Sequence, residues 1–145
     1  KDALIDRALD ETLVNAFDWD DYAASADATP HERIVHIFEY LLNGTLVYPG
    51  ITRTHLLEAP AADGGPGRAS AALEEFLERV QVDLVERGLK LEPATIRTRL
   101  LQAYGAVILA AVTIQPLLSS YAGVDFSDPR ARHDYIDSLV TALFG

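Results

Sequence analysis

Between Leu100 and Val124 the chain carries no charged residue, and that run decides much of what the sequence can become. A bilayer-spanning helix needs about 20 predominantly apolar residues, so length alone admits one. Composition argues against it. Gln102, Tyr104, Gly105, Thr113, Gln115, Pro116, Ser119 and Ser120 interrupt the run, and burying such groups in lipid is costly. The expectation is therefore a core helix, opened by Glu92-Pro93 and kinked or ended at Pro116, with no membrane partner.

Helical spacing places three stripes on that helix. The first runs Ile96, Leu100, Ala103, Val107, Ala110, Ala111, Ile114. The second holds Leu101, Tyr104, Ile108, Val112, Gln115, and the third Gln102, Ala106, Leu109, Thr113. A helix apolar almost all round must be covered almost all round.

The rest of the chain is also helical in period, and strand alternation is nowhere sustained. Leu4, Ile5, Ala8, Leu9, Thr12, Leu13, Ala16 and Phe17 form one stripe, followed by a polar, Ala-rich link from Asp18. Thr29-Pro30-His31-Glu32 has the form of a capping box. The helix it opens turns Ile34, Ile37, Phe38, Leu41, Leu42 and Thr45 inward and Glu32, Arg33, His36, Glu39, Tyr40 and Asn43 outward. Pro49-Gly50 breaks it, and a short helix is expected from Ile51 to Glu58. Ala59 to Gly67 reads as a loop inside the domain. A long helix then carries Leu73, Phe76, Leu77, Val80 and Leu84, with Gly88 as its left-handed stop. Asp128-Pro129 opens the last helix, which carries Tyr135, Ile136, Leu139, Val140, Leu143 and Phe144 as a wide paired stripe. The fold class is all-α, six helices in one domain of 145 residues.

A thin bundle of six helices cannot easily cover both the uncharged helix and the wide stripe of the last one. Two-fold pairing of these helices with a second copy is the simplest remedy. The candidate interface is Gln102, Ala106, Leu109 and Thr113 with Tyr135, Ile136, Leu139, Val140 and Leu143; small Gly105 and Ala106 would allow close approach. The competing reading turns these stripes into the chain's own core.

Little points to catalysis. There is no cysteine, and the four histidines (31, 36, 55, 133) form neither His-x-x-x-His nor Glu-x-x-His. Gly64-Gly65-Pro66-Gly67 lacks the spacing of a phosphate loop. Asp18, Asp20 and Asp21 lack that of an EF-hand, and neither Ser119 nor Ser120 has a base nearby in sequence. No cofactor, metal or catalytic residue is expected. With 22 acids against 12 bases the net charge of −10 disfavours direct contact with nucleic acid.

What remains is a pocket. Phe38, Leu42, Thr45, Phe76, Val80, Tyr104, Ile108 and Gln115 bring apolar groups and a few polar ones onto inward faces, the usual lining of a small-molecule site. Thr45, Tyr104 and Gln115 need partners that either a ligand or the backbone can supply. His55 is a weaker candidate for the lining. Trp19 and Tyr22 either roof the pocket or pack on the surface.

Lys1-Asp2-Ala3-Leu4-Ile5 resembles the K-x-x-L that leaves the helix-turn-helix head of the tetracycline-repressor (TetR) family. Asp128-Pro129-Arg130-Ala131-Arg132, leading into Tyr135–Val140 and Leu143, resembles that family's C-terminal dimerisation helix, and the helix order between is similar. The resemblance implies a cytoplasmic bacterial transcriptional regulator, usually a repressor. It implies a homodimer whose C-terminal domain binds a small, often apolar effector. Residues 1–17 would be the connecting helix from a head that is missing here, with Lys1 at a DNA phosphate and Leu4 between head and body; DNA would be met only through that head. Two other readings remain, a ligand-free helical dimerisation or interaction module and a small bundle enzyme.

Overall fold

A computed structural model describes Val14 and residues 16–58 and 60–145. The expectations for Lys1, Leu4 and most of the 4–17 stripe lie outside the described residues. Among these there are seven helices and no strand: α1 (Trp19–Ala24), α2 (Pro30–Val47), α3 (Pro49–Leu56), α4 (Arg68–Glu86), α5 (Pro93–Val112), α6 (Gln115–Ala122) and α7 (Pro129–Phe144).

Local chemistry sets the boundaries. Thr29 Oγ1 accepts from the Glu32 N–H at 3.2 Å, while the Glu32 carboxylate accepts from the Thr29 N–H at 2.8 Å, so the capping box forms. Gly88, at φ +90, ends α4, and the Leu89 N–H reaches back to the Leu84 carbonyl at 3.0 Å. The link after Phe17, expected to be irregular, holds α1. Asp18 caps it, with Oδ1 accepting from the N–H groups of Asp20 and Asp21 at 3.1 and 3.0 Å.

The uncharged run divides. α5 stops at Val112 and α6 leaves at 86° to it. Pro116 lacks an N–H, and its ring would meet the carbonyl four residues back, at Val112, so the helix expected to run through Gln115 ends three residues sooner. Among the described residues no single helix is long and apolar enough to cross a membrane.

α5 is the central element, packed against α2, α3, α4, α6 and α7. Its first stripe is the core: Ile96, Leu100, Ala103, Val107 and Ala110 are fully buried. The third stripe stays outside, with Leu109 52% exposed and Gln102 and Thr113 exposed beside it. On α7 the stripe splits. Ile136 and Val140 are 0% exposed, so they belong to the chain's own core and have no surface left for a second copy. Tyr135, Leu139 and Leu143 are half-buried.

Candidate functional site

Two concavities flank α4. The first is a cavity of about 230 Å³ between α3, the start of α4 and α5. Val14, Leu41, Leu73 and Ile108 give it apolar walls, and Thr52, His55, Glu58 and Tyr104 bring polar groups to it. The second is an open groove of about 1340 Å³ along α4, between α1 and α5.

The cavity follows from how α3 is placed. Pro49 starts this helix without a side-chain cap, and Tyr48 serves as the joint with α2. Thr52 is buried on its inner face, 3.3 Å from the hydroxyl of Thr45 on α2. One helical turn on, His55 lines the cavity, and its Nε2 is buried with no hydrogen-bond partner. Burial holds the imidazole below its usual pKa, opposed only by the Glu58 carboxylate, so the ring is neutral near pH 7. Both Glu58 oxygens accept the Ala69 N–H, at 3.0 and 2.9 Å, and so close the N-terminus of α4, where Gly67 offers no side-chain cap. From α5, Tyr104 adds a phenol that burial pushes above its usual pKa; its hydroxyl has no hydrogen-bond partner among the described residues.

Of the eight residues expected to line a pocket, Tyr104 and Ile108 do so, and His55 joins them. Phe38, Leu42 and Val80, at 0% exposed, are sealed in the core. Thr45 meets the cavity only through Thr52. Phe76 packs in an aromatic cluster with its ring 5.3 Å from both Phe17 and Trp19. Gln115 donates to the Ala111 carbonyl at 3.4 Å and lies apart from the cavity. These six residues were expected at a pocket because periodicity marks an inward face without separating a packed face from one beside a void.

The groove is built differently. Arg33, expected outward, is 1% exposed because α1 and its link fold over it. Its Nη2 donates to the Ser25 carbonyl at 2.7 Å, and its guanidinium lies 4.4 Å from the Tyr22 ring centre. Its Nη1 is 3.5 Å from Asp83 Oδ2. Asp83 also accepts from the Tyr22 hydroxyl at 2.6 Å and from Arg87 Nε at 2.9 Å. Burial first, and the Asp83 acceptor second, push the Tyr22 phenol far above its ordinary range. Trp19 and Tyr22 thus pack on α4 and line this groove, apart from the α3–α4–α5 cavity. The Asp83 cluster was invisible in the sequence, since its partners stand 61 and 50 positions away and share no motif.

No family model, curated protein or solved structure matches the chain.

Proposed function

We propose that this chain is the effector-binding and dimerisation part of a regulator resembling the TetR family. In this reading the α3–α4–α5 cavity receives a small, mostly apolar molecule, and a helix-turn-helix head attached before residue 1 meets DNA. The protein is then a cytoplasmic homodimer, not an enzyme, and most simply a repressor.

One observation carries the reading. Val14 stands in the same cavity wall as Tyr104 and Ile108. Val14 lies within residues 1–17, the segment expected to connect to the head, so a guest in the cavity touches the connector directly. The guest shifts the heads only by the difference in its affinity for the two packings, and paired recognition helices must stand about 34–36 Å apart to read successive major grooves.

The third stripe of α5 supports the homodimer. Gly105 lies mid-helix on this exposed face, and a Cβ there would meet nothing within 4 Å. A glycine in a helix interior costs about 1 kcal/mol relative to alanine, and nothing among the described residues uses its smallness. A second helix approaching across Gln102, Leu109 and Thr113 does. In this arrangement Tyr135, Leu139 and Leu143 flank the contact while Ile136 and Val140 support it from beneath.

Sedimentation equilibrium and a thermal-shift ligand screen test the two halves together. The expected result is a dimer that Leu109→Asp converts to a folded monomer, with stabilisation by small apolar ligands. A dimer that no ligand stabilises would favour the interaction module. A monomer at high micromolar concentration would overturn the regulator reading, and turnover of a bound ligand would favour the enzyme.

A further inference from the structure

The cavity's size and its unused polar groups restrict what it accepts. A buried apolar cavity of about 150 Å³ is large enough for benzene. At about 230 Å³ this one has room for a single ring with a small substituent or a short aliphatic chain.

The polar groups decide the rest. A neutral imidazole presents Nε2 either as donor or as acceptor, depending on its tautomer, and a phenol does both. A ligand carboxylate only accepts, and neither Lys nor Arg is among the described residues lining the cavity to neutralise it. Glu58, the one carboxylate among the described lining residues, would repel it. An ammonium only donates and would need Glu58, whose two oxygens already hold the Ala69 N–H at the positive end of α4. A hydroxyl both donates and accepts, so it satisfies His55 in either tautomer and Tyr104 as well.

We propose that the cavity binds an uncharged molecule of about one ring that carries a hydroxyl, hydrogen-bonded to His55 Nε2 and the Tyr104 hydroxyl, with its ring against Leu41, Leu73 and Ile108. This rests on the reading of the cavity as an effector site and adds the ligand's class to it.

Isothermal titration of the chain with phenol, toluene, benzoate and benzylamine provides the test. Phenol is expected to bind about tenfold more tightly than toluene, the worth of one net hydrogen bond, and benzoate and benzylamine more weakly than either. His55→Leu should bring phenol and toluene to equal affinity. Tyr104→Phe, the gentler change, should narrow the gap part-way. Equal binding of phenol and toluene by the unaltered chain would overturn the hydroxyl assignment and leave the effector site standing. Benzoate or benzylamine binding best would overturn the uncharged class. Failure of both phenol and toluene to bind would overturn the site along with it.

Discussion

The two ends of α4 set their polar groups in different surroundings, one an ion-paired cluster and the other the wall of a cavity. Near its C-terminus Asp83 gathers Tyr22, Arg33 and Arg87, pairing the buried guanidinium with a counter-charge although Arg33 Nε and Nη1 make no hydrogen bond of their own. Near its N-terminus His55 Nε2 and the Tyr104 hydroxyl stand at a void, with no protein partner among the described residues. Buried polar groups in folded proteins are nearly always satisfied. The Asp83 cluster is explained by the fold, because Arg33 and Arg87 hold the Ser25 and Ala26 carbonyls and Asp83 holds Tyr22, which fastens α1 and its link across α2 and α4. Polar groups beside a cavity can instead be met by a guest, the role proposed above for His55 and Tyr104.

That contrast breaks first at Asp83. Asp83→Ala leaves the Arg33 guanidinium buried without its counter-charge and should lower unfolding free energy by about 3 kcal/mol in a denaturant titration. Phenol affinity should change little, because the cavity lies at the other end of the helix. Tyr22→Phe removes only the 2.6 Å bond to Asp83 and should cost about 1.5 kcal/mol by the same measurement. At the open end the sign differs. His55→Leu removes an unsatisfied group and should leave stability within about 1 kcal/mol of the parent, or raise it, while ligand discrimination is lost. A loss as large as that of Asp83→Ala would make His55 a structural residue and erase the contrast.

The smallest effect is in pH. His55 has a folded pKa below its unfolded value, so its contribution is present above about pH 6.5 and is lost as pH falls toward the folded pKa. His133 on α7 behaves in reverse. Its hydrogen bond to Glu39 on α2 raises its pKa, so that contribution is present below about pH 6.5 and fades as pH rises through the raised value. The pair is exposed and solvent screens it, so the effect is slight. Stability–pH curves of His55→Leu and His133→Gln should therefore depart from the parent with opposite slopes.

The sequence disclosed the parts of this molecule that rest on local rules. The capping box at Thr29, the stop at Gly88, the break at Pro116 and the core stripe of α5 all follow from residues within a few positions of one another. The cavity was half legible. Tyr104 and Ile108 declare an inward face, but only packing shows that the space beside them is empty while that beside Phe38 and Val80 is full. Thr52 and Glu58 gave no signal, since each acts through a partner across a turn or loop, Thr45 and Ala69 respectively. Arg33 misled because periodicity assigns a charged residue outward unless a distant segment covers it, and α1 does so here.

Methyl NMR during a phenol titration tests the central claim most directly, because it locates the guest. Saturable shifts are predicted at Leu41, Leu73 and Ile108, one site per chain, with Val82 and Leu101 in the open groove unmoved. Shifts confined to Val82 and Leu101, or no saturable shift anywhere, would contradict it.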